Sequence, residues 1–186
     1  MSTVRNVAVL VGSLRREAYS RKLAKALIPL APASLKLEIV EIRDLPLFNQ
    51  DWEADPPAPA REFKAHIAAA DAVLFVTPEY NRSVPGALKN AIDVGSRPYG
   101  QSAWSGKPGA VISVSPGAIG GFGANQHLRQ SLVFLDVPAL QQPEAYIGNA
   151  HKLFDEQGAL TNESTREFLQ KMLQAFSQWI ERNRPS

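Results

Sequence analysis

The first candidate for a chemical role is the segment from Val7 to Ser20. Its first five residues form a continuous apolar run, which is typical of a strand covered on both faces. Gly12 ends that run, and Ser13, Arg15 and Ser20 follow it before a helical pattern begins. A turn between a buried strand and a helix start presents free backbone N–H groups and the positive end of the helix dipole. Two hydroxyls and a guanidinium in this turn predict a site for one phosphate, and an ordinary polar turn is the alternative.

Two further loops carry polar or glycine-rich sequences, and each follows an apolar run. The loop at 77–86 reads Thr-Pro-Glu-Tyr-Asn-Arg-Ser-Val-Pro-Gly, and the loop at 116–121 reads Pro-Gly-Ala-Ile-Gly-Gly. Tyr80, Asn81 and the backbone amides of both loops are suited to holding the edge and one face of a flat heterocycle.

The elements that must position these loops alternate between strands and helices, which predicts a parallel sheet covered on both faces. Residues 35–42 alternate between apolar and polar side chains, as expected for an edge strand, whereas the later strands are apolar throughout. This pattern predicts an α/β fold, a flavodoxin-like three-layer sandwich with a five-stranded parallel sheet of order 2-1-3-4-5. The predicted strands lie at 7–11, 35–42, 72–76, 109–115 and 137–140, and a long final helix is expected around 168–180.

The three unusual loops follow the first, third and fourth predicted strands, so they should meet at the carboxyl end of the sheet. That convergence is the strongest indication of a binding site. We expect residues 1–186 to form a single domain, because neither a repeat nor a second domain pattern is visible.

Composition excludes several other classes of protein. The chain has no cysteine, which excludes disulfides and thiol chemistry and is typical of a cytoplasmic protein. The net charge of +2 is small and the basic residues are scattered, so we expect no nucleic-acid partner. No apolar stretch is long enough for a membrane span, and the three histidines lack the spacing of metal ligands, so no metal is expected.

The glycine pattern reduces the number of ligand classes that the turn at Gly12 could bind. No Gly-Lys-Ser/Thr follows Gly12, so the turn is not a P-loop, and the dinucleotide pattern Gly-x-Gly-x-x-Gly is also missing. One phosphate together with a flat heterocycle indicates a mononucleotide whose ring does the chemistry, which is FMN.

At these residues the chain resembles the NAD(P)H-dependent FMN reductases of flavodoxin-like fold, and within them the bacterial quinone or chromate reductases. The similarity spans roughly the first three-quarters of the chain. The segments that carry it are Gly12-Ser13-Leu14-Arg15, Leu45-Pro46-Leu47-Phe48-Asn49, Thr77-Pro78-Glu79-Tyr80-Asn81, Leu88-Lys89-Asn90-Ala91-Ile92-Asp93 and His127-Leu128-Arg129-Gln130.

The resemblance implies an oxidoreductase that transfers electrons from NADPH or NADH through FMN to quinones, azo compounds, free flavin or chromate. No side chain is assigned a catalytic role, because the flavin carries the chemistry. Glu79 is expected to have a solvated position in its turn. The resemblance also implies a homodimer or homotetramer. The implied cofactor contacts are Ser13, Arg15 and Ser20 at the phosphate, Pro78, Glu79, Tyr80 and Asn81 along the isoalloxazine, and Ser115 and Gly117 opposite them.

The chain departs from the family pattern at four positions. Ala18 and Ser20 stand where relatives usually have serine and asparagine, which puts the strength of FMN binding in doubt. Gly123 lies where many relatives carry an arginine of their tetramer contacts. Arg82 replaces an aromatic residue, and we predict that it binds substrate, namely the 2′-phosphate of NADPH. The alternatives for Arg82 are an exposed loop residue or a pair with Glu144 across a subunit contact.

Two other functions remain open at this point. A flavodoxin-type electron carrier without its own nicotinamide oxidation is one, although such carriers are usually acidic and this chain has a pI of about 9.0. A cofactor-free receiver domain is the other. It would need an acidic pair after the first strand and an aspartate after the third, where Gly12, Ser13 and Thr77 stand instead.

Overall fold

The computed structural model describes residues 3–184, in which strands and helices alternate along the chain. The strands are β1 (Arg5–Val11), β2 (Leu35–Val40), β3 (Ala72–Thr77), β4 (Gly109–Val114) and β5 (Ala145–Ile147). The longer helices are α1 (Tyr19–Leu30), α2 (Ala58–Ala69), α3 (Gly86–Ser96), α4 (Phe122–Phe134) and α5 (Glu163–Arg182). Single 3-10 turns occur at Gln50–Trp52 and Ala150–Lys152. Within the described part of the chain, no helix is both long enough and apolar enough to cross a lipid bilayer.

The strands form one sheet in the order β2-β1-β3-β4-β5, and each neighbouring pair is parallel. The predicted order is therefore confirmed. Because every strand points the same way, the segments that follow β1, β3 and β4 leave the sheet at its carboxyl edge, side by side.

Side chains of each strand alternate between two separate apolar layers, because successive residues of a strand point to opposite faces. Val7, Val9 and Val11 of β1 pack with α1 and α5 on one face. Ala8 and Leu10 pack with α2, α3 and α4 on the other. Both faces of the central strands are thus buried, as their continuous apolar sequences predict.

The predicted strand at 137–140 is wrong, since β5 lies later, at Ala145–Ile147. Residues 137–140 run beside the start of β4, where the Gly109 amide donates to Pro138 and the Leu140 amide donates to Gly109. They form only an isolated bridge between Ala139 and Gly109. Pro138 has no N–H to extend a ladder, and the apolar residues are buried against helices instead.

Candidate functional site

Three loops, each numbered by the strand that it follows, meet at the carboxyl edge of the sheet: loop 1 (12–18), loop 3 (78–85) and loop 4 (115–121). Loop 1 approaches loop 3 closely at Gly12, where an added Cβ would lie 2.9 Å from Thr77 Oγ1 and 3.0 Å from Pro78 Cδ. A side chain at this position would therefore push the two loops apart. The expected convergence of loops 1 and 3 is present.

Ser13 and Tyr80 join the same two loops through their side chains. Ser13 is only 3% exposed, and its Oγ lies 2.9 Å from the Tyr80 Oη. The Arg15 amide also donates to Ser13 Oγ, at 3.3 Å, which closes the turn locally. The Arg15 side chain is exposed.

The N-terminus of α1 lies at the end of loop 1 and has no side-chain cap, because Ala18 occupies the N-cap position. The Arg21 and Lys22 amides donate to the Ala18 carbonyl. Ser20 is fully buried, yet its hydroxyl has no hydrogen-bond partner among the described residues. A buried hydroxyl without a partner beside an uncapped helix start is costly unless a ligand satisfies it.

Loop 3 is a tight hairpin turn. Tyr80 and Ser83 exchange two backbone hydrogen bonds, at 3.1 and 3.0 Å, around Asn81 and Arg82. Both central residues have positive φ, 50° and 63°, as in a type I′ turn. The turn places both residues at an exposed tip. An arginine gives no sequence signal for such a turn, which usually contains glycine at that place.

Glu79 is mostly buried, with 11% of its side chain exposed, so the expected solvated carboxylate is wrong. Its Oε2 accepts from the Ala124 amide at 3.1 Å, and its Oε1 accepts from Arg82 Nη1 at 3.1 Å. A carboxylate at a helix N-terminus is stabilised by the helix dipole. Glu79 thus fixes loop 3 to the start of α4. Gly123 permits this, since a Cβ there would lie 2.9 Å from Glu79 Oε2.

Loop 4 is tied to the segment that follows β5. The Ser115 amide donates to Ile147, and the Asn149 and Ala150 amides donate back to Gly117 and Ser115. Ser115 Oγ accepts from the Gly117 amide at 3.1 Å. Gly117 itself is exposed at the edge. The predicted site residues of loop 4 are therefore held by backbone hydrogen bonds to residues 147–150, which nothing in the sequence pattern indicated.

Comparisons with known proteins show the family to which the chain belongs. A family model described as NADPH-dependent FMN reductase matches residues 5–152. A quinone reductase from Pseudomonas putida is 66% identical over 185 residues, with 99% of each chain covered. The chain belongs to the NADPH-dependent FMN reductase family. A 2-hydroxy-1,4-benzoquinone reductase from Burkholderia sp is 49% identical over 174 residues, covering 94% of this chain and 95% of that one.

Among solved structures, this FMN reductase is similar to FerB, a flavoenzyme NAD(P)H:(acceptor) oxidoreductase from Paracoccus denitrificans. The TM-score is 0.91 at 45% identity, and 98% of this chain and 100% of that chain are covered. The resemblance seen in the sequence motifs is confirmed. The protein is an oxidoreductase that uses FMN and a reduced nicotinamide, and neither the electron carrier nor the receiver domain applies.

Asn90 of this FMN reductase joins two distant segments in a way that the sequence motifs did not reveal. Its Nδ2 donates to the Pro46 carbonyl at 2.9 Å, and its Oδ1 accepts from the Phe48 amide at 2.8 Å. The Asn90 side-chain amide thus donates and accepts as a backbone amide would, and it links the segment after β2 to α3. Leu47, between the two bonds, is 81% exposed.

The backbone of Tyr146 lies against Gly120 of loop 4, where an added Cβ would be 2.7 Å from the Tyr146 carbonyl oxygen. Burial, together with a hydrogen bond and the negative charge of Glu144, raises the pKa of the Tyr146 phenol. The Gln126 side chain donates to its Oη at 2.6 Å. The Tyr146 ring packs against Phe122 at the start of α4, with 5.2 Å between the ring centroids.

Proposed function

We propose that this FMN reductase passes electrons from NADPH or NADH to quinones, with azo compounds, free flavin and chromate as further acceptors. The uncapped start of α1, with the buried and unpartnered Ser20 hydroxyl, carries the cofactor part of the proposal. The names of its similar relatives support quinones as the acceptor class. We also propose that the whole chain acts as one cytoplasmic FMN-binding domain.

The residues around this edge fit FMN. We propose that Ser13, Arg15 and Ser20 bind its phosphate, since hydroxyls, a guanidinium and helix amides are the donors that a phosphate needs. Residues 78–81 and, opposite them, Ser115 and Gly117 would flank the isoalloxazine. Glu79 would contribute its backbone there, because its carboxylate already binds the start of α4.

Bound FMN supplies two-electron redox chemistry between the nicotinamide and the acceptor. The chain's own contribution is to bind and orient. Glu79 is not available as a general base, since both of its oxygens have donors. Gly12 allows loops 1 and 3 to approach closely, and Gly123 allows loop 3 to approach α4. We therefore assign no catalytic acid or base.

A shared binding edge predicts that nicotinamide and quinone bind in turn. In steady-state assays that vary NADPH at several fixed benzoquinone concentrations, double-reciprocal plots should be parallel, as in ping-pong kinetics. Lines that intersect would require both substrates to bind at once and would contradict a single shared face.

Arg82 is our candidate for recognition of the NADPH 2′-phosphate. Its side chain is 78% exposed at the tip of loop 3, and its carboxylate partner within the chain is Glu79. Part of its charge is therefore balanced within the loop. A phosphate contact at an exposed arginine contributes on the order of 1 kcal/mol.

The Arg82→Ala variant should raise KM for NADPH several-fold and leave kcat nearly unchanged, because an exposed contact stabilises ground and transition states alike. NADH, which lacks the 2′-phosphate, is the internal control and should show no change in kcat/KM. An equal loss with both nucleotides would remove Arg82 from nucleotide choice.

We propose that the protein forms a homodimer or homotetramer. Phe122, Val133 and Phe134 of α4 are 48%, 80% and 84% exposed, which is unusual for large apolar side chains of one helix. Light scattering should give a mass of at least twice the 20.3 kDa of one chain. A monomer at micromolar concentration would contradict this assembly.

A further inference from the structure

Tyr80 reaches from loop 3 to loop 1 and contacts a buried hydroxyl. The distance between Tyr80 Oη and Ser13 Oγ is 2.9 Å, and the Tyr80 side chain otherwise remains half exposed. This is a side-chain bridge between the loop assigned to the phosphate and the loop assigned to the isoalloxazine.

The donors and acceptors of Ser13 decide what this bridge does. A serine hydroxyl has one proton to donate and two lone pairs to accept with. The Arg15 amide already donates to Ser13 Oγ. If Tyr80 donates as well, both lone pairs are occupied, and the single serine proton is left for an external acceptor. At the start of α1, which follows loop 1, the buried Ser20 hydroxyl also has no partner among residues 3–184. An anion at loop 1 would accept the Ser13 proton.

We propose that the Tyr80 hydroxyl is a positioning group for the FMN phosphate. It donates to Ser13 and thereby directs the Ser13 proton toward the phosphate, without touching the phosphate itself. Hydrogen bonds in such a chain polarise and strengthen one another. The inference rests on the proposed cofactor site, and it gives Tyr80 a role separate from any contact of its ring with the flavin.

The test compares FMN with riboflavin, which has the same ring system but no phosphate. Apoprotein carrying Tyr80→Phe keeps the aromatic ring and loses only the hydroxyl. Its Kd for FMN should rise about three- to tenfold, as expected for one lost hydrogen bond, while its Kd for riboflavin stays unchanged. Both constants are measured by quenching of flavin fluorescence. Tyr99→Phe, at a tyrosine that is 84% exposed, is the matched control and should change neither constant.

A double-mutant cycle shows whether Tyr80 acts through Ser13. In a Ser13→Ala background, Tyr80→Phe should have no further effect on the Kd for FMN. An unchanged FMN Kd in the single Tyr80→Phe variant, an equal loss for riboflavin, or a full effect in the Ser13→Ala background would each overturn the inference. Failure of wild-type apoprotein to bind FMN would instead contradict the proposed function, so the two can fail separately.

Discussion

Gly148→Ala should loosen FMN binding by about tenfold, because the new methyl group would displace loop 4. A Cβ at position 148 would clash with the Ala118 carbonyl oxygen and lie 3.2 Å from that of Gly117. Both contacts are with backbone, which cannot rotate away as a side chain can. The loop must therefore shift, and Ser115 and Gly117 shift with it. The Kd of the apoprotein for FMN and the thermal midpoint measure the two consequences.

Gly86→Ala is the matched control for this variant. The same methyl group is added at the start of α3, where nothing apart from the neighbouring residues and the helix's own backbone lies within 4 Å of the new Cβ. FMN affinity should be unchanged, and stability unchanged or slightly increased, since alanine favours helix over glycine. If Gly148→Ala lowers the thermal midpoint but leaves the FMN Kd intact, loop 4 is not part of the cofactor site.

Arg15→Ala should yield a folded protein that purifies largely without its yellow cofactor. A charge-assisted hydrogen bond to phosphate contributes about 1.5–3 kcal/mol, so the Kd for FMN should rise roughly ten- to hundredfold. The circular dichroism spectrum and thermal midpoint of the apoprotein should stay unchanged, because the Arg15 side chain is exposed. Riboflavin affinity should also stay unchanged, since riboflavin lacks the phosphate.

Arg16→Ala provides the comparison within the same loop. Arg16 is also exposed and lies one position further along, so its removal changes net charge by the same amount. It should have a much smaller effect on the FMN Kd. Equal losses in both variants would indicate only a general electrostatic attraction, and no loss in Arg15→Ala would contradict the assignment of the phosphate site.

The sheet order could be predicted because buried parallel strands and an alternating edge strand leave different hydrophobic patterns. Residues 72–77 are apolar up to Thr77 and are buried throughout, whereas Lys36 and Glu38 in β2 are exposed on either side of the buried Leu37. The last strand could not be located in this way. Residues 137–140 are as apolar as a strand, and only tertiary contacts put them beside β4 rather than in a ladder.

The loops that form the candidate site could be predicted, but not their internal contacts. Their position follows from topology, since segments after adjacent parallel strands share one edge. The burial of Glu79 depends on an amide that lies 45 residues later in the chain, at Ala124. The support of loop 4 depends likewise on residues 147–150. Such pairings arise between distant segments, and no local pattern encodes them.

The most direct test of the proposed activity is an anaerobic titration of the holoprotein followed by its flavin absorbance. Adding an equimolar amount of NADPH should bleach the visible flavin band, and adding benzoquinone to the bleached protein should restore it. Reduction by NADPH and reoxidation by benzoquinone should both occur at the same bound FMN, because the two substrates share one binding edge. If NADPH leaves the band unchanged, or if the reduced protein does not respond to benzoquinone, the account of this protein as a nicotinamide-dependent quinone reductase is contradicted.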